Sequence, residues 1–162
     1  MSGIILSALS GVTTFTKSSD ESTTKTLLQI IAPSSQRVKI LRWGVFFNEE
    51  TGDATPAIPF TVTVGKNTTT DGSGGGTVTL TKVKPTPITP RTVANKNLTV
   101  TSTLTSELDL AYVNAQTGYE VIYPMGQEIE LDPSEVFNVL VSSGSVLSTG
   151  NVGVLAKVWI EE

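Results

Sequence analysis

The chain has 162 residues and a net charge of −4, only 16% of its residues are charged, and it contains neither histidine nor cysteine. Those two absences exclude Ser-His-Asp and Cys-His catalysis, histidine- or thiolate-held metal centres, and disulfides. The 11 basic residues stand singly and form no stripe that would neutralise phosphates, so no nucleic-acid partner is expected.

No stretch approaches the ~20 apolar residues of a helical membrane span, and no membrane partner is expected. The start, Met1-Ser2-Gly3-Ile4-Ile5-Leu6, lacks the cationic opening of a secretory signal, which points to cytoplasmic synthesis. The apolar run Ile4-Ile5-Leu6 … Leu9 … Val12 … Phe15 departs from simple strand alternation. Residues 1–16 are therefore read as an N-terminal arm or an edge strand, and residues 17–162 as a single β-sandwich domain.

Two segments follow that are apolar on both faces, Thr26–Ile31 and Val38–Phe47. Strict alternation in the second puts Leu41, Trp43, Val45 and Phe47 on one face and Val38, Ile40 and Phe46 on the other. Only one face of a sandwich strand meets the core, so the other is expected to meet a loop, an arm or another subunit. Further period-two runs are Ile58–Val64, with Pro59 marking a strand start or edge, then Val78–Leu80 and Leu98–Leu104. The last is Val152–Ile160. Asp71–Gly76 and the Pro85/Pro87/Pro90 stretch mark loops, and Asp132-Pro133-Ser134-Glu135 offers at most one helical turn. About eight strands with uneven loops predict an all-β, antiparallel two-sheet sandwich of jelly-roll type. An immunoglobulin-like sandwich is the alternative, without its Cys…Trp…Cys hallmark.

The glycine cluster leads into another strand and lacks a Gly-Lys-Ser/Thr ending, so it is not a phosphate loop. Asp71 and Ser73 have the spacing of calcium ligands, but Lys82 stands where a calcium loop needs glutamate. The carboxylate pairs Asp20/Glu21, Glu49/Glu50, Glu128/Glu130 and Glu161/Glu162 have few aromatic platforms to form a glycosidase cleft, with ten aromatic residues in all. Glu128 and Glu130 alternate with Ile129 and Leu131, as the solvent face of a strand would. The sequons at Asn67 and Asn97 are what a Thr-rich chain produces by chance. No catalytic residue, cofactor or metal is assigned, and the protein is expected not to be an enzyme.

Several segments together carry a family resemblance. They are Ala32-Pro33 with Arg37–Val45, then Pro59–Val64, then the Thr/Gly loop through Gly76-Thr77-Val78. Thr117-Gly118-Tyr119-Glu120 leads on to Pro124 and Glu128, and Val154–Ile160 is closed by Glu161-Glu162. This order resembles the jelly-roll decoration, or cement, proteins on capsids of tailed bacteriophages. The resemblance implies a homotrimer on the capsid exterior of a virion, made in the host cytoplasm, whose partner is the major capsid protein. It implies no functional residue. The surplus apolar segments nominate Ile4, Ile5, Leu6, Trp43 and Phe46 for partner contact. A carbohydrate- or receptor-binding jelly roll of a tail fibre or lectin is the alternative function.

Overall fold

Period-two patterning becomes two antiparallel sheets in a computed structural model that describes residues 3–16, 23–51, 60–114, 117–143 and 151–162. The expected strand start at Ile58 and Pro59 and the Asp20/Glu21 pair lie outside the described residues, as do the side chains of Glu49 and Glu50. Thirteen strands and no helix occur among the described residues. The first sheet contains β1 (Ile5–Leu9), β2 (Thr13–Thr16), β4 (Val38–Thr51), β7 (Thr81–Lys82), β10 (Tyr119–Ile122), β11 (Ile129–Leu131) and β13 (Asn151–Glu161). The second contains β3 (Thr24–Ile31), β5 (Phe60–Asn67), β6 (Gly76–Thr77), β8 (Val93–Leu98), β9 (Ser106–Val113) and β12 (Val136–Ser142). Their orders are β10-β4-β13-β1-β7, with β11 on β4 and β2 on β13, and β6-β8-β3-β12-β5-β9. The result is an all-β sandwich consistent with the jelly-roll type.

The two segments read as apolar on both faces owe that look to β-bulges. In β4 the register with β13 shifts between Arg42, opposite Trp159, and Ile40, opposite Ile160, leaving Leu41 as the extra residue. An extra residue reverses the alternation downstream of it. Val38 and Ile40 before the bulge therefore join Trp43 and Val45 after it in one fully buried core. In β3 the extra residue opposite β12 is Leu27, and Leu27 and Leu28 are consecutive yet both buried in that core. The surplus apolar face expected of β4 reduces to half-buried Leu41 and exposed Phe46.

Phe15, Phe60 and Phe47 close one part of the core, with ring centroids 5.5 Å apart for Phe15–Phe60 and 5.0 Å for Phe47–Phe60. Trp43 closes another, its Nε1 donating to the Tyr123 hydroxyl at 3.0 Å. Burial raises the Tyr123 pKa above the ordinary phenol value, and the Trp43 hydrogen bond opposes that rise.

Three expected elements differ. Val78–Leu80 is not a strand but the passage between β6 in one sheet and β7 in the other, with the Val78 amide bonded to the Ala94 carbonyl at 2.8 Å. Asp132–Glu135 is a turn, with Glu135 N–H to Asp132 O at 2.9 Å and Ser134 at φ 70°, and not a helical turn. The strand expected from Leu98 to Leu104 ends at Leu98, just after Asn97 with φ 50°. Residues 99–105 then cross the outer face of the second sheet.

A single backbone bridge joins Val100 to Ser73, and side chains hold the rest of that crossing. Thr101 Oγ1 donates to Thr24 O at 2.7 Å, and Ser102 N–H to Thr26 Oγ1 at 2.9 Å. Thr103 N–H reaches Asp71 Oδ2 at 2.6 Å, and Thr105 N–H reaches Asn67 Oδ1 at 2.9 Å. Beneath it, the Nε2 of fully buried Gln29 lies within hydrogen-bond distance of Asp71 O (2.9 Å), Ser102 Oγ (3.2 Å) and Asn138 Oδ1 (3.1 Å), and its Oε1 accepts from Asn95. Buried amides need such partners, and here they fasten a loop to a sheet.

Candidate functional surface

The five residues nominated for partner contact do not come together. Leu6 and Trp43 are fully buried within the protomer. Ile4 is buried too, its N–H bonded to Glu162 O at 2.8 Å and its carbonyl accepting Glu162 N–H at 3.0 Å. The segment containing Ile4 to Leu6 runs beside β13, with Leu6 opposite Ile160 and Ala8 opposite Val158. It is an integral strand whose far side carries the two-residue β7 at Leu6 and Ser7. Phe46 is 38% exposed, and β13 separates its strand from β1. A Cβ on Gly44 or Gly118 would stand 3.2 or 3.3 Å from the Phe46 ring, so these glycines let it lie against the sheet.

Half-buried Ile5 lines a cavity of about 290 Å³ with Gly3, Ile4, Lys84, Pro85, Thr86 and Ile88. An adjoining open groove of about 450 Å³ adds Arg37, Arg91 and Glu162. The Glu162 carboxylate does not face free space there, because it accepts the backbone amides of Arg91 at 2.8 Å and Thr92 at 2.9 Å.

Elsewhere the charged side chains tie strands and turns together. Arg42 stacks 3.6 Å from the Trp159 ring centroid and lies 3.7 Å from Glu120 across β4 and β10. Arg37 pairs with Asp132 at 2.8 Å and Lys39 with Glu130 at 3.7 Å. Glu130 is exposed on β11 between Ile129 and Leu131, while Glu128 lies in the preceding loop and accepts the Gly126 amide at 2.8 Å. Backbone amides, its own and that of Gly126, hold the Glu128 carboxyl below its ordinary pKa. Lys66 Nζ donates to Glu135 Oε2 at 2.6 Å and to Glu130 O at 2.9 Å. Burial alone would raise the Glu135 pKa, but the Lys66 ammonium and the Asp132 amide outweigh it, and the carboxyl sits below the ordinary value.

Asp71, weighed for calcium, offers its carboxylate to N–H donors of Asn67 and Thr103 and so acts as a loop tie. No three acidic side chains converge as metal ligands among the described residues. The sequon asparagine Asn67 is buried and doubly bonded, which is a structural use of that side chain.

One strand carries a row of accessible apolar side chains that the sequence pattern also contained. In β9, Leu108 and Leu110 are each 42% exposed and Tyr112 is 72% exposed, on one outward face. Asp109 and Ala111 alternate with them and are half-buried, with Ala111 packed on the core. The alternation Leu108-x-Leu110-x-Tyr112 was the available signal. The charged residues interleaved there masked it, since a solvent face was expected to be the polar one. On the other sheet Ile122 is exposed on β10, and Met125 after it is 97% exposed.

Comparison of the chain with protein-family models, curated proteins and solved structures returns no match.

Proposed function

We propose that this protein is a non-enzymatic structural component of a virion, decorating the outside of an icosahedral phage capsid and stabilising it by bridging major capsid subunits. One observation carries most of the weight. The polar side chains hold the sandwich and its crossing loop together, while apolar side chains stand on exposed strand faces. Acid–base chemistry needs convergent, unshared groups. Assembly needs a rigid scaffold with apolar surface left open, and the arrangement favours assembly. The resemblance to capsid decoration proteins supplies the specific partner.

The homotrimer implied by that resemblance had one physical support in the sequence, the two-faced β4 segment. The bulge at Leu41 withdraws that support, so bridging is proposed here without a fixed stoichiometry. The test is co-sedimentation of purified protein with capsids lacking it, alongside a glycan array. Saturable binding at a fixed ratio to capsid subunits is expected. Absence of capsid binding together with glycan capture would replace this reading with a receptor-binding one.

A further inference from the structure

Sheet edges expose unpaired backbone donors and acceptors, and proteins commonly blunt them with very short strands, lysine or proline. Three of the four edges here are short. β6 and β7 have two residues each, β2 has four, and β10 and β11 have four and three. The fourth is β9, with eight residues, neither lysine nor proline, and no strand beyond it among the described residues; its acidic residues, Glu107 and Asp109, and its bulge at Leu108 lie in its first half, leaving Leu110–Val113 free of such devices. Its outward face carries Leu108, Leu110 and Tyr112.

We propose that β9 is a self-recognition edge: two copies of this chain pair through it, antiparallel, with Leu110 opposite Leu110 of the second copy. The register follows from side-chain matching. Residues opposite each other in a ladder point to the same face, so a twofold pairing must be centred on a residue. Centring on Leu108 sets Glu107 against Asp109, and centring on Asp109 sets Asp109 against itself; both oppose like charges. Centring on Leu110 sets Leu108 against Tyr112 and Asp109 against Ala111. Six apolar side chains then form one stripe with no like charges directly opposed. Centring on Ala111 also avoids like charges but moves Leu108 out of the stripe, opposite Asn114.

The backbone agrees with this register. The Leu110 amide has a local side-chain partner, Asp109 Oδ1 at 2.9 Å, at the centre of this register. Pairing exchanges that local bond for a carbonyl of the second copy. The bulge that makes Leu108 an extra residue opposite β5 marks one end of the regular stretch. The two six-stranded sheets then join as one. This inference goes beyond capsid binding and does not depend on it.

The absence of cysteine makes the test direct, because Leu110→Cys introduces a unique thiol. Opposed residues in an antiparallel ladder lie about 4.5–5.5 Å apart at Cα, within disulfide range. Under mild oxidation of the full chain, Leu110→Cys is expected to give a covalent dimer at least ten times faster than Leu9→Cys, a position on β1 that is slightly more solvent-accessible. In sedimentation equilibrium, Leu110→Lys is expected to weaken dimerisation at least tenfold with an unchanged circular dichroism spectrum. A wild-type protein monomeric at several hundred micromolar would overturn the proposal. So would equal cross-linking rates for the two cysteine variants, or a dimer indifferent to Leu110→Lys.

Discussion

Replacing Leu6 with alanine separates an integral first strand from a detachable arm. Leu6 is fully buried, sits opposite Ile160 on β13, and has β7 on its other side. The substitution removes three carbon atoms from the core, about 2.4 kcal/mol of transfer free energy at ~0.8 kcal/mol per methylene. The cavity left behind brings the expected loss to about 3 kcal/mol, within the range for buried leucines. A chain of this length has an unfolding entropy of about 0.34 kcal/mol/K, so the midpoint should fall by roughly 9 °C. Leu9→Ala at the exposed end of the same strand should shift it by less than about 2 °C. Differential scanning calorimetry of both variants decides. A shift for Leu6→Ala as small as that for Leu9→Ala would refute the placement of β1 in the sheet.

Asp71→Ala should destabilise the protein by about 2 kcal/mol, because two donors lose a charged acceptor, and should raise hydrogen exchange at Thr103 above that of β12. Gly65→Ala should cost about 2 kcal/mol in denaturant titration, since its Cβ would stand 2.4 Å from the Ser106 carbonyl oxygen and 2.7 Å from Leu104. Glu135 has a folded pKa below its unfolded one. Its contribution is therefore fully present above the unfolded value and disappears as pH falls through the folded one. Glu135→Gln should lower stability at neutral pH, and the difference from the wild type should vanish as pH falls through the folded value, as measured by urea midpoints across pH.

The class of fold was legible because threonine and valine alternate over so much of the chain. Val152–Ile160 reads directly as a strand, and β13 covers it. What misled was local. A single extra residue at Leu41 made one core-facing set look like two opposed faces, and alternation arguments cannot see a bulge whose partner strand lies over a hundred residues away. Leu98–Leu104 alternates as well as any strand, yet the Asn97 backbone turns it across the sheet, where Asp71, Asn67, Thr26 and Thr24 take its hydrogen bonds. That outcome depends on side chains distant in sequence. β12 was hidden by its own burial, since Asn138 lies within an otherwise apolar run and is held by Gln29. For the candidate surface, the surplus apolar segments around Ile4–Leu6 and Trp43–Phe46 drew the contact assignment. Burial removes Ile4, Leu6 and Trp43, leaving half-buried Ile5 and exposed Phe46.

Reinforcing a capsid demands more than binding to it. Calorimetry of capsids lacking this protein, recorded with and without a saturating amount of the purified chain, measures reinforcement itself. A ligand that binds the intact shell in preference to its dissociated subunits must raise the shell's transition temperature as occupancy rises. For a reinforcing protein, an upward shift that saturates with occupancy is expected. An unchanged or lowered transition at full occupancy would contradict it.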